Sequence, residues 1–150
     1  MSCFDIDVTV PPPLPLLLVA AVVLVDTDGR VLVGSRPAGK PYAEWWEFPG
    51  GKLEKNETPE DALVRELHEE LGIITKPTCF SPFTFVSYRY GDLGWHILMP
   101  VFLCRMWEGV PQPKEGQTLK WVRPRDFHDY KFVPGSQPLL PLLMERFQGV

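Results

Sequence analysis

The longest run of apolar residues lies near the start of the chain, over residues 14–25. Most of this run is rich in β-branched residues, and a polar turn sequence follows it at 26–29. The pattern predicts a buried strand over 16–25. Residues 30–35 are predicted to return after the turn as its hairpin partner, and the aromatic run 45–48 predicts a further short strand.

A helix with clear end signals follows in the middle of the chain. Thr58 is placed to act as N-cap, with Pro59 at the first helical position and Asp61 at the third. Gly72 comes directly after Leu71 and is the residue type that most often ends a helix. The sequence therefore predicts a helix from Pro59 to Leu71.

Four more elements are predicted in the second half of the chain. They are strands over 80–90, 95–106 and 117–122 and a terminal helix over 138–147. The first two of these strands are expected to pair in an antiparallel way. This order of elements predicts an α+β fold with a mixed β-sheet and helices packed on its faces.

Length, charge and cysteine content limit the kind of protein this is. A chain of 150 residues fits a single domain over 1–150, in which we expect 1–14 to be a loosely ordered lead-in because of its three consecutive prolines. A net charge of -4 argues against binding a nucleic acid polymer, and the apolar run is shorter than the ~20 residues that a membrane-spanning helix needs. Three cysteines without metal-ligand spacing indicate reduced thiols. We expect a cytoplasmic protein, a monomer or weak dimer, that binds no membrane.

Acidic residues crowd one edge of the predicted middle helix. At 100° per residue, four apolar residues share one arc of this helix: Leu63, Val64, Leu67 and Leu71. Glu66 and Glu70 lie along the edge of that arc, with Glu69 beside them. Like charges at this spacing destabilise a helix by about 0.2 to 0.5 kcal/mol per pair unless a cation compensates. Oxygen ligands of this density suit Mg²⁺, with Mn²⁺ as a substitute, whereas the alternative is a solvated acidic face.

The spacing of residues around this helix is more specific than the helix alone. Gly51 is followed by five residues, Glu57, seven residues and then the sequence Arg-Glu-Leu-His-Glu-Glu-Leu-Gly-Ile over 65–73. This arrangement resembles the Nudix box at every specified position. The resemblance implies a Nudix fold, an α/β/α sandwich, with a loop and helix that bind magnesium and hydrolyse bonds between phosphate groups.

The resemblance also implies roles for individual residues. Metal ligands are expected at Glu66, Glu69, Glu70 and the carbonyl of Gly50. Glu66 is in addition a candidate for orienting or deprotonating the attacking water. Arg65 is expected to pair with Glu57 and hold the loop against the helix, and Lys52 to meet phosphate oxygens.

Segments outside the box resemble the MutT-type branch of the family, whose members hydrolyse nucleoside triphosphates to monophosphate and pyrophosphate and remove oxidised guanine nucleotides. These segments are 46–52, 107–109, 114–117 and 132–138. By position, Glu115 corresponds to an additional metal-binding carboxylate and Arg36 to an arginine near the phosphates. The terminal loop departs from the branch, because Ser136 replaces an asparagine that reads the purine. Either Ser136 or the following Gln137 could contact the base instead.

Two alternatives remain open from the sequence. The chain could be a Nudix enzyme for another small-molecule substrate, such as a pyrimidine triphosphate, ADP-ribose or a dinucleoside polyphosphate. It could also be a module that recognises a base without turnover, although the complete set of box carboxylates favours an enzyme.

Overall fold

The computed structural model describes residues 11–150. Its strands are β1 (Leu16–Leu24), β2 (Val31–Ser35), β3 (Trp46–Glu47), β4 (Gly50–Lys52), β5 (Phe80–Tyr90), β6 (Trp95–Cys104) and β7 (Leu119–Val122). Its α-helices are α1 (Pro59–Leu71) and α2 (Leu139–Arg146), and short 3₁₀ helices cover Pro77–Cys79, Pro124–Asp129 and Pro134–Ser136. The predicted lead-in 1–14 lies largely outside the described residues.

The strands form two sheets between two helices. The larger sheet has the order β4-β1-β6-β5, in which β1 and β6 are parallel and the other pairs antiparallel. The smaller sheet has the order β3-β2-β7 and is antiparallel. The mixed sheet and the α+β class predicted from the sequence are confirmed.

The second half of β1, 20–24, is buried on both faces, as its continuous apolar sequence predicts, whereas Leu16 and Leu18 in the first half are exposed. Val22 and Leu24 join the apolar cluster formed with α1, whereas Val23 joins the cluster that contains Leu139 and Leu143 of α2. Alternate side chains of one strand therefore supply the two cores that lie on either side of the sheets.

The predicted hairpin between β1 and 30–35 is wrong. The chain does turn back, since Asp26 accepts hydrogen bonds from the backbone N–H groups of Asp28 and Arg30, and one antiparallel bridge joins Val25 to Val31. Beyond that bridge, β2 pairs with β3 and β7 in the smaller sheet. Because β4 and β6 pair with the two edges of β1, the pairing of β2 with the end of that strand is limited to the bridge at Val25.

Helix α1 has the predicted ends. The Thr58 side chain accepts a hydrogen bond from the Asp61 N–H, and the Asp61 carboxylate accepts one from the Thr58 N–H. Gly72 ends the helix in the left-handed conformation with φ of 70°. Within residues 11–150, no helix is long and apolar enough to span a membrane.

Candidate active site

A cleft of about 520 Å³ opens between β1, β4, the middle of α1 and several loops. Its charged side chains are those of Arg36, Lys40, Glu47, Lys52, Glu66, Glu70 and Glu115. Its larger apolar and aromatic side chains include those of Tyr42, Tyr90, Leu93, Trp95, Ile97, Met99 and Val133. We call Glu47, Glu66, Glu70 and Glu115 the acidic wall, and Tyr42, Tyr90 and Trp95 the aromatic wall.

Two glycines allow the acidic wall to approach the sheet closely. Gly50 has φ of 150°, and a Cβ on it would collide with the carbonyl oxygen of Ala20 in the neighbouring strand. A Cβ on Gly51 would collide with the carboxylate of Glu66. Packing against backbone therefore requires a glycine at position 50, whereas a side chain at position 51 would displace the Glu66 carboxylate from its place in the acidic wall.

The surroundings of Glu70 disfavour the ionised form of its carboxyl group. Burial and the neighbouring Glu66 carboxylate, with smaller contributions from Glu115 and Glu47, raise the pKa of Glu70 well above its usual range. Removal from water and like charges both disfavour the ionised form. A cation at this wall would relieve both effects.

Arg65 is the centre of the ion pairs that fix the loop before α1. Its Nε and one terminal nitrogen each donate to the Glu57 carboxylate at 2.8 Å, and it also donates to the Lys52 carbonyl at 3.1 Å. These bonds lower the pKa of Glu57 to about 2. The predicted pairing is present, and a further bond of 2.9 Å to Glu66, which the sequence did not suggest, anchors a residue of the acidic wall.

The loop that carries Glu115 is tied to the end of α1. The Lys114 N–H and the Gln117 amide both donate to the Glu70 carbonyl, at 3.0 and 3.1 Å. The Gln117 side chain in turn accepts from the Glu115 N–H at 2.8 Å. These bonds bring Glu115 close enough for its charge to act on Glu70.

Arg36 and Glu47 form the boundary between the two walls. The Arg36 guanidinium donates to both carboxylate oxygens of Glu47, at 3.2 and 3.0 Å, and to the Pro41 carbonyl. Burial raises the pKa of Glu47, although Arg36 counteracts this. Arg36 therefore lies in the cleft, as predicted, but part of its hydrogen-bonding capacity is used by Glu47.

The aromatic wall is assembled from three separate segments. The rings of Tyr42 and Tyr90 meet edge to face at 5.8 Å, and the Lys52 ammonium lies 5.7 Å from the centre of the Trp95 ring.

The Tyr90 hydroxyl also binds the terminal loop, since it accepts a hydrogen bond of 2.6 Å from the Gly135 N–H. This bond holds the 3₁₀ turn Pro134–Ser136 against the cleft, and Ser136, which is 5% exposed, lines it.

Several predicted site residues lie elsewhere. The Glu69 side chain is 51% exposed, lies outside the cleft lining and comes within 3.5 Å of Arg65. Gln137 lies outside the cleft lining, and its amide nitrogen donates to the Phe132 carbonyl. Of the two candidates in the terminal loop, the structure thus brings Ser136 to the cleft.

Sequence reasoning missed four residues that line the cleft: Tyr42, Glu47, Tyr90 and Trp95. Glu47 stands directly beside the box and within a segment already assigned to the family, so its charge in an aromatic strand was a usable signal. Nothing in the sequence places the three aromatic residues together, because their contacts join separate loops and strands.

The acidic wall fits a hard divalent cation. Its donors are all carboxylate oxygens, beside a backbone loop that can approach closely because of Gly50 and Gly51, and this is the ligand chemistry that Mg²⁺ prefers. Among residues 11–150, no three acidic, histidine or cysteine side chains have already converged into a metal site. Glu66 is bonded to Arg65, so side chains would have to move to bind the ion. The aromatic wall suits a flat heterocycle.

Comparisons with known proteins find relatives of this chain in both sequence and structure. A model of the family described as NUDIX domain matches residues 15–143. The chain is 37% identical over 127 residues to an 8-oxo-dGTP diphosphatase from Escherichia coli K12, covering 85% of this chain and 95% of the relative. It is 39% identical over 130 residues to a CTP pyrophosphohydrolase from the same organism, covering 85% and 90%. A solved structure from work on MutT of Aliivibrio salmonicida and Vibrio cholerae superposes with a TM-score of 0.74 at 29% identity, covering 88% of this chain and 99% of the other.

Proposed function

The chain belongs to the Nudix family, and from that premise we propose that it is a magnesium-dependent hydrolase that converts nucleoside triphosphates, chiefly 8-oxo-dGTP, to the monophosphate and pyrophosphate. The observation that carries the proposal is the pairing of an acidic wall with an aromatic wall in one cleft. A nucleotide has the matching division into phosphates and a base.

We assign the metal to the acidic wall and its margin. The residues that would hold it are Glu66, Glu69, Glu70, Glu115 and the Gly50 carbonyl. When bound, Mg²⁺ neutralises phosphate charge and makes a coordinated water more acidic. Glu69 lies outside the cleft lining and Glu115 comes from a separate loop, so we expect both to contribute less than Glu66 and Glu70.

The protein's own groups position the substrate. Lys52 and Arg36 supply positive charge at the cleft, and Arg36 is already oriented by Glu47 and Pro41. We assign to Glu66 the orientation or deprotonation of the attacking water, since Arg65 fixes one of its oxygens and the lack of a side chain on Gly51 leaves room for the carboxylate. In-line attack depends on such positioning more than on a covalent residue.

A second candidate substrate differs from the first in its base and has support of its own. The relative that acts on CTP is as similar to this chain as the one that acts on 8-oxo-dGTP. Ser136 offers one hydroxyl, which can donate or accept and so does not by itself distinguish the two bases. A pyrimidine triphosphate is therefore the alternative substrate.

Initial rates with Mg²⁺ test the proposal. The substrates are the ordinary nucleoside triphosphates, 8-oxo-dGTP, ADP-ribose and a dinucleoside tetraphosphate, with products identified. We expect 8-oxo-dGTP to give the highest kcat/KM and to yield monophosphate and pyrophosphate. A clear preference for CTP, ADP-ribose or the dinucleotide would replace the substrate, whereas binding without any turnover would point to a recognition module.

Such an activity would act on the free nucleotide pool. Removing an oxidised guanine nucleotide before a polymerase uses it lowers mutation, so we propose a role in nucleotide sanitising and place it in the cytoplasm. A raised mutation rate in cells lacking the protein, restored by the wild-type chain but not by Glu66→Gln, would support this role.

A further inference from the structure

Tyr90 stands at the end of β5, where its side chain is both buried and part of the cleft lining. The residue is 6% exposed. Its ring packs against those of Tyr42 and Tyr88, at centroid distances of 5.8 and 4.7 Å. Contacts on both sides therefore fix the direction in which its hydroxyl points.

The Tyr90 hydroxyl uses only part of its hydrogen-bonding capacity. Its oxygen accepts from the Gly135 N–H at 2.6 Å, which leaves the hydroxyl proton to be donated. Within residues 11–150, no side chain or carbonyl accepts that proton. The neighbouring Tyr42 differs, because its hydroxyl donates to Asp92 at 2.6 Å.

A buried donor without an acceptor is unfavourable, and native proteins rarely leave one. Burial also raises the pKa of Tyr90, although the bond from Gly135 counteracts this. The proton is thus retained at neutral pH. An acceptor that arrives with a ligand in the cleft would satisfy it.

The surroundings indicate which part of a nucleotide provides the acceptor. Close to Tyr90 the cleft is lined by Tyr42 and by the 3₁₀ turn with Gly135 and Ser136, which carry no charge. The charges that act on Tyr90, those of Arg36 and Glu47, are paired with each other, so among residues 11–150 no free cation that acts on Tyr90 is left to meet a phosphate. Phosphate groups would leave their charges uncompensated there. A base suits such a wall, since its faces are apolar and its edge carries carbonyl or amino groups.

We propose that Tyr90 is a specificity-determining residue, whose hydroxyl donates a hydrogen bond to a carbonyl oxygen on the edge of the base. The inference rests on the proposed function, because it assigns the base of that nucleotide to the aromatic wall. Guanine and hypoxanthine carry a carbonyl at the position where adenine carries an amino group. The Tyr90 hydroxyl therefore favours 6-oxopurines over 6-aminopurines.

The test compares Tyr90→Phe with the wild-type protein on dGTP, dITP and dATP. Removing one neutral hydrogen bond is expected to lower kcat/KM for dGTP and dITP by about fivefold, and that for dATP much less. The same comparison is made by equilibrium binding of dGMP, dIMP and dAMP, which needs no turnover. Tyr88→Phe is the matched control, because Tyr88 packs on the same ring but lies outside the cleft lining, and it should change neither preference.

Hydrolysis rates and monophosphate affinities together distinguish a failure of the Tyr90 assignment from a failure of the proposed function. An equal loss for all three bases would overturn it, since Tyr90 would then act only by holding Gly135. An unchanged preference, or a wild-type protein that does not distinguish dGTP from dATP, would overturn it as well. If the wild-type protein hydrolyses no triphosphate, the proposed function fails, and the monophosphate affinities still decide the role of Tyr90.

Discussion

The two walls of the cleft are built in different ways. The acidic wall comes mainly from one stretch of chain, 47–70, and its like charges are held together by cationic partners such as Arg65 and Arg36. The aromatic wall joins separate segments, and ring packing and the bond between Tyr90 and Gly135 hold it. Ion pairs thus fix the charges of one wall, whereas packing between distant segments fixes the shape of the other, as the proposed division into metal binding and base recognition requires.

The largest expected effect is a loss of kcat in the acidic-wall variants Glu66→Gln and Glu70→Gln. Each removes a charge from the acidic wall without changing its size, and we expect kcat to fall by more than about a hundredfold, beyond what loss of a supporting partner costs. The melting temperature of Glu70→Gln should not fall, because burial and repulsion disfavour the Glu70 carboxylate in the folded protein. Glu66→Gln should lower it slightly, because it removes the ion pair with Arg65. Glu145→Gln, an exposed change on α2, is the control. Unchanged rates in both variants would remove the metal assignment.

Arg65→Ala tests whether the acidic wall depends on its ion pairs. Loss of the guanidinium leaves Glu57 and Glu66 without their partner and frees the loop at Lys52. We expect activity to fall by about tenfold through misplaced carboxylates, together with a lower melting temperature. Arg65→Lys should recover part of the stability, since it restores charge but not the two parallel bonds. A fully active and stable Arg65→Ala protein would contradict this role.

Trp95→Leu tests the aromatic wall in turn. Trp95 lines the cleft and is 38% exposed, so its ring is available to a base. We expect KM to rise by about fivefold for every nucleotide, within the range for loss of a stacking contact, while kcat stays nearly constant. Trp107→Leu is the comparison outside the cleft. A fall in kcat with unchanged KM would contradict the assignment of base binding to the aromatic wall and of metal chemistry to the acidic wall.

The smallest expected effect is on the pH dependence of stability. Arg65 lowers the pKa of Glu57 from its ordinary value of 4.5 to about 2. A lowered pKa in the folded state stabilises the protein above the ordinary value, and this contribution is lost as the pH falls from 4.5 towards 2. The free energies of unfolding of wild-type and Glu57→Gln proteins, measured in urea, should therefore differ at neutral pH and converge in acid. A gap that is constant with pH would show that Glu57 acts other than by its charge.

Helix α1 and the motif around it could be predicted because their signals are local. The cap of Thr58 and Asp61 and the stop at Gly72 act over a few residues, and the spacing of Glu66 and Glu70 follows from the helix itself. The pairing of Arg65 with Glu57 joins residues that are also close in sequence. Sequence alone therefore determined the family, the helix and most of the acidic wall.

The tertiary structure decided the rest. It placed β2 in the second sheet because β4 and β6 pair with the two edges of β1, it brought Glu115 to Glu70 through backbone bonds, and it chose Ser136 over Gln137 for the cleft. The aromatic wall depends on contacts such as that of Tyr90 with Gly135. Contacts between distant residues form only when the whole chain packs, so no local pattern records them, whereas a helix and its caps are specified by residues a few positions apart.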